Sequence, residues 1–175
     1  MGIFYYSNVT FFNPENNPFM QIEKLFNAIR SEEEKDVVSI LTSHPELINE
    51  KDQRGSTPLL LATYYGNTDI VKAILRFNPE VNAIDASGNT ALMGVCFKGF
   101  TEIAALLIEN GADINLFNGN GATALIYAAT FGKVEIVKLL LDKGADAPHK
   151  DASGNTALDH AKMQGHNEIV QILGS

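Results

Sequence analysis

The chain is short of the features by which proteins most often declare a chemistry. It has a single cysteine, Cys96, so it can close no internal disulfide and build no metal site from cysteines. Cys96 lies among apolar residues in "LMGVCF", the setting of a buried spectator rather than a reactive thiol. Basic residues are few and scattered: 13 Lys and Arg stand against 21 Asp and Glu, a net charge of −8. A surface that tracks phosphates needs clustered cations, and no basic run occurs, so nucleic acid is not an expected partner. No Lys or Arg precedes Lys24, and Asn and Pro interrupt the early apolar stretches, unlike a signal or transit peptide. Gly2 follows Met1, yet Tyr6 stands where a myristoylation signal needs Ser or Thr. No apolar stretch approaches the ~20 residues that span a bilayer. The expectation is a cytoplasmic protein with no membrane partner.

Catalytic patterns are missing as well. There is no GxSxG, HExxH, phosphate-binding loop or dinucleotide fingerprint. The histidines His44, His149, His160 and His166 are dispersed, and only His160 adjoins an acid, Asp159. Sequence neighbours on a helix diverge by roughly 100°, so these two do not converge on one ligand. The Glu32–Glu34 run reads as a solvated helix end. The chain is therefore expected to be no enzyme and to hold no cofactor and no metal.

What the chain does have is repetition. Gly55, Gly88, Gly121 and Gly154 recur every 33 residues, as do Thr57, Thr90, Thr123 and Thr156. Leu59, Leu92, Leu125 and Leu158 keep the same period, with a second glycine set at Gly66, Gly99, Gly132 and Gly165. Ile70, Ile103, Ile136 and Ile169 complete the register. Each unit reads physically as a turn ending at the first glycine, followed by a threonine able to cap a short helix. Pro58 suits the first helical position, where its missing N–H costs nothing. The second glycine suits the left-handed residue that ends that helix. A second helix follows, its apolar residues in one stripe, as in "TDIVKAILRF" and "VEIVKLLLDK". Gly111, Gly144 and Asn78 are placed to end such helices. Asp52, Asp85, Asn118 and Asp151 share the first turn position, where a short side-chain oxygen satisfies nearby backbone N–H groups.

Units such as "GSTPLLLATYYGNTDIVKAIL" and "GATALIYAATFGKVEIVKLLLDKGADA" resemble ankyrin repeats in period, caps, glycines and core leucines. The resemblance covers residues 52–173 and, more weakly, 20–51. It implies an all-α solenoid of about five helix-turn-helix repeats linked by β-turn or hairpin loops. Full repeats are expected at 52–84, 85–117 and 118–150. Terminal repeats need polar outer faces, so 19–51 is expected to be an N-terminal cap and 151–175 a C-terminal one. The N-terminal unit lacks the Thr-Pro-Leu cap and the first-helix glycine, and carries about one extra residue near Glu32–Glu34. Residues 1–18 hold Phe4, Tyr5, Tyr6, Phe11 and Phe12, too aromatic for an ordinary disordered tail. They are expected to form an arm that packs on the first repeat, or else contacts a partner or a second copy.

The resemblance also implies a function: non-catalytic binding of a protein or peptide through the concave groove and turn tips. Carried onto this chain, the first-helix positions are Tyr64, Tyr65, Phe97, Lys98, Thr130, Phe131, Met163 and Gln164. Ile84 and Phe117 extend the surface along the turns. Aromatics at positions the fold leaves free suggest a partner with apolar anchors. A monomer is expected. An enzyme-associated regulatory subunit, or an effector delivered into a host cell, is the alternative role.

Overall fold

Four threonines set the phase of the molecule. In the computed structural model, which describes residues 18–174, the hydroxyl of each accepts a backbone N–H three residues on. Thr57 takes that of Leu60 and Thr90 that of Met93; Thr123 takes that of Ile126 and Thr156 that of Asp159. Each helix so started is short. Those from Thr57, Thr90 and Thr156 end at Gly66, Gly99 and Gly165, all left-handed.

Ten α-helices result among the described residues, in consecutive pairs. The first pair is α1 (Pro18–Arg30) and α2 (Glu34–Ser43), followed by a 3-10 turn at Pro45–Asn49. Next come α3 (Pro58–Tyr65) with α4 (Thr68–Leu75), and α5 (Ala91–Lys98) with α6 (Thr101–Glu109). The series closes with α7 (Ala124–Thr130) and α8 (Val134–Asp142), then α9 (Ala157–Gln164) and α10 (Asn167–Leu173). The odd-numbered helices stack on one another in chain order, and α2, α4, α6, α8 and α10 form a second row behind them. The turns between units carry only isolated antiparallel bridges, Ile84 to Thr90 and Phe117 to Thr123, rather than strands. The fold is the expected all-α repeat solenoid.

The core runs unbroken along the stack. Leu59, Leu92 and Leu125 are buried beside Ala62, Val95 and Ala128, and Ile70, Ile103, Ile136 and Ile169 face them from the second row. Cys96 lies in this core, where burial pushes its thiol far up from its usual range. Lys162, Gln164, Asn167 and Gln171 are exposed on the final pair.

Polar groups tie each unit to the next. Asn49, Asn82 and Asn115 each accept, through Oδ1, a backbone N–H from the following unit: those of Glu80, Asp113 and Asp146 at 2.8–2.9 Å. The amides of Asn82 and Asn115 donate in turn to Gly111 O and Gly144 O, the carbonyls at the ends of the next second-row helices. At the N-terminal end Glu32 takes the left-handed conformation, φ 59°, in the turn where later units place glycine. The Glu run is thus a tight turn leading into α2 rather than only a helix end. The aromatic segment ahead of α1 lies outside the described residues.

Two substitutions check this account. Thr123→Ala should cost about 0.5–2 kcal/mol in chemical denaturation, the worth of a helix N-cap. Gly132→Val should cost more, because φ is 69° there and a new Cβ would stand 2.8 Å from the His166 ring. An unchanged denaturation midpoint in both would displace α7 from where it is drawn.

Candidate interaction groove

The first helix of each unit has two jobs, and the residues before its closing glycine are spared the first. Leu59 and Ala62 of α3 face the core, which turns Tyr64 and Tyr65 out at the helix end. Phe97 and Lys98 in α5 take the same places, then Thr130 and Phe131 at the end of α7, and Met163 and Gln164 in α9. Tyr64, Tyr65, Phe97, Phe131 and Met163 are all exposed large hydrophobic side chains. Lys98 and Gln164 are exposed as well, while Thr130 is half-buried with its hydroxyl donating to Ile126 O.

These side chains are not isolated. The rings of Phe97 and Phe131 meet edge to face, centroids 4.5 Å apart, and Tyr127 stacks on Phe131 at 6.4 Å. Tyr64 and Tyr65 meet edge to face at 5.5 Å, and the Lys98 ammonium sits 4.5 Å from the Tyr64 ring centre. Each contact between units therefore joins a residue to the one 34 positions on, a diagonal along the helix ends. Part of the aromatic surface is consumed by self-packing, a contact that the helical register alone does not show.

Between these ends and the turns lies a cleft of about 500 Å³. First-helix residues Leu60, Leu61, Met93 and Gly94 line it, together with Tyr64, Tyr65, Phe97, Lys98 and Tyr127, and the turns contribute Asp52, Arg54, Asp85 and Asn89. Of the proposed binding positions it gathers Tyr64, Tyr65, Phe97 and Lys98, and Phe131 adjoins through Phe97. Ile84 and Phe117 stand exposed on the turns outside the cleft, Phe117 stacked on the His149 ring at 5.5 Å. Met163 and Gln164 lie outside it too, at the far end of the stack.

The turn acids behave as structural residues. Oδ1 of Asp52, Asp85, Asn118 and Asp151 each accepts two backbone N–H groups of its own turn. The adjacent pair Asp159 and His160 goes separate ways. Asp159 closes a capping box on Thr156, while His160 meets Asp151 Oδ2 at 2.7 Å. His166 reaches Thr130 O at 3.1 Å across the repeat boundary. The acceptor role of Asp85 is the one its turn position predicted, whereas Gly94, off both 33-residue glycine registers, carries no signal in the repeat pattern.

The arrangement is a groove with polar turns on one side and aromatic helix ends on the other. Family models for ankyrin repeats match residues 25–118, as three copies, and residues 107–161. The chain is an ankyrin-repeat protein. A search of curated proteins finds no match. Ankyrin repeats generally serve protein–protein interaction, and proteins built from them are typically non-catalytic. Among the described residues no helix of this ankyrin-repeat chain is long and apolar enough to cross a membrane.

Two carboxyls of the C-terminal unit, Asp151 and Asp159, are held below the usual range. For Asp159 the cause is the Thr156 N–H; for Asp151 it is chiefly the Asn155 N–H, then His160. Folding thus favours the ionised forms, so their contribution is complete above the unfolded carboxyl pKa of about 4 and drains as pH falls through the lower folded values. The Tm gap between the parent and Asp159→Ala should be open at pH 7 and close toward pH 2. A gap independent of pH would refute the capping role of the carboxylate.

Proposed function

We propose that this chain binds a protein partner along the groove between its helix ends and turns, with aromatic side chains as the principal contacts. The observation that carries this reading is the series Tyr64, Tyr65, Phe97 and Phe131. All remain exposed on successive units while core positions on the same helices are filled by Leu59, Leu92 and Leu125. A contiguous apolar surface of this kind usually marks an interaction site, and aromatic residues dominate binding hot spots. The polar turns supply a rim that fixes orientation. Ile84 and Phe117 would widen the contact toward the turn tips, and Met163 and Gln164 would extend it along the stack. The chain acts as one copy, since its partner surface is a single face of one solenoid.

Removing two aromatics separates binding from folding. Tyr65→Ala should change stability by no more than about 0.5 kcal/mol, as at most surface sites. Phe131→Ala should cost about 0.5–1.5 kcal/mol, because it breaks the ring pair with Phe97. Leu125→Ala, in the core, should cost about 2–5 kcal/mol. The Tyr65→Ala/Phe131→Ala double variant should therefore remain folded yet lose about 2 kcal/mol or more of affinity, some thirtyfold, for proteins captured by the parent from cell extract. Equal capture by parent and variant would rule out these aromatics as the contact surface.

A further inference from the structure

One first-helix position, nine residues after the turn acid, changes from unit to unit. It is held by Leu61, Gly94, Tyr127 and His160 in successive units. Two of these reach across to the turn. The Tyr127 hydroxyl lies 3.1 Å from both Asn118 Nδ2 and Asn89 Oδ1, and His160 Nε2 lies 2.7 Å from Asp151 Oδ2. In the unit of Leu61 the turn acid is satisfied from elsewhere, Arg30 Nη2 donating to Asp52 Oδ2 at 3.1 Å. Each of these three turn residues thus spends one atom on its own turn and receives a side chain on the other.

Asp85 is the exception. Its Oδ1 accepts from Ser87 N and Asn89 N, but Oδ2 has no partner among the described residues. The position that would supply one is Gly94, and both line the cleft. A Cβ built on Gly94 meets nothing within 4 Å, and its φ is not in the left-handed region. Glycine in a helix interior is disfavoured against alanine, and neither sterics nor backbone geometry calls for it here. What it leaves is an open place in the cleft that Phe97 and Tyr127 also line, with an open carboxylate oxygen of Asp85 lining it as well.

We propose that this gap takes a tyrosine side chain presented by the protein partner, the ring over Gly94 and the hydroxyl donating to Asp85 Oδ2. The proposal rests on the groove reading and deepens it. The occupant imitates what Tyr127 does from within one unit later. Charge selects tyrosine over arginine: Arg30, Arg54 and Lys98 already stand in the cleft against Asp52 and Asp85. A neutral donor answers the open carboxylate without adding a fourth cation, and the ring buries apolar area that a guanidinium does not. Hydrogen bonds to charged groups are the stronger kind, so the hydroxyl confers preference over phenylalanine.

The test selects a displayed library of random short peptides on the full chain and measures the selected peptides as synthetic probes. They should share a tyrosine, and replacing it by phenylalanine should weaken binding about tenfold or more. Gly94→Tyr should abolish binding while raising Tm, because the chain then fills its own gap; Gly94→Leu is a second filler should that variant fold poorly. Asp85→Asn keeps the turn, as Asn118 shows, and should shrink the tyrosine-to-phenylalanine difference. Failure to enrich any peptide, enrichment without a shared tyrosine, or indifference to both fillers overturns the proposal. Peptides lost on Tyr65→Ala/Phe131→Ala but indifferent to the fillers would leave the groove reading standing and remove the niche. The reverse pattern would keep the niche and remove the wider groove. Enrichment that appears only when Tyr5 and Tyr6 are replaced by Ser would make the chain's own N-terminal segment the occupant, and the partner proposal would fall.

Discussion

A pair of helices seven to nine residues long, such as α7 with α8, cannot cover its own apolar face. Everything else in the molecule follows from the need to cover it with the next pair. Leu59, Leu92 and Leu125 are buried only because a neighbouring inner helix lies against each. Stacking in turn demands that successive units share one shape, and that demand places the same caps and glycines 33 residues apart. It also places Asn49, Asn82 and Asn115 where each can hold the backbone of the following unit. The ladder of amide contacts adds direction to a core that is otherwise non-directional. Salt links such as Lys72–Glu102 and Lys138–Glu168 also cross unit boundaries, but exposed pairs of this kind contribute little.

The same constraint explains where variation is permitted. Core positions and caps answer to the neighbouring unit, whereas the last residues of each first helix lie outside the core and meet the next unit only through contacts between their own side chains. Aromatic, hydroxyl and thioether side chains share one such place at Tyr64, Phe97, Thr130 and Met163, and aromatic, cationic and amide ones the other at Tyr65, Lys98, Phe131 and Gln164. The turn acids stand between these two regimes. One oxygen of Asp52, Asp85 or Asp151 is bound to the turn itself and cannot be spared. The other is met by Arg30, by His160 or, at Asp85, by nothing among the described residues. A structural motif thereby carries a free valence into the groove, and the unit that leaves it free also leaves out the side chain above it.

The proposed interaction surface is accordingly a matter of departures from the repeat rather than of the repeat. Gly94 is such a departure, and so is Tyr127, whose hydroxyl joins Asn89 and Asn118 across two units. Neither disturbs the stack: Gly94 is exposed, and Tyr127, half-buried against the core, directs its hydroxyl to the turn asparagines. Together they set the wall and the depth of the cleft at the centre of the array.

By itself the sequence determined the solenoid, because each of its devices is local. A threonine hydroxyl caps three residues on, a glycine ends a helix where it stands, and an aspartate satisfies its own turn. Repetition in one register then made each local reading support the others. The exposure of Tyr64, Tyr65, Phe97 and Phe131 was legible for the same reason, since one face of a short helix was already claimed by core residues. Contacts between units were not legible. The ring pair of Phe97 with Phe131 and the seat of Lys98 on Tyr64 depend on how far one pair is displaced and rotated against the next. The open oxygen of Asp85 is of this kind too. Whether a carboxylate has a second partner is decided by side chains from other helices, and only the packed structure brings Arg30, His160 or the bare backbone of Gly94 to that point.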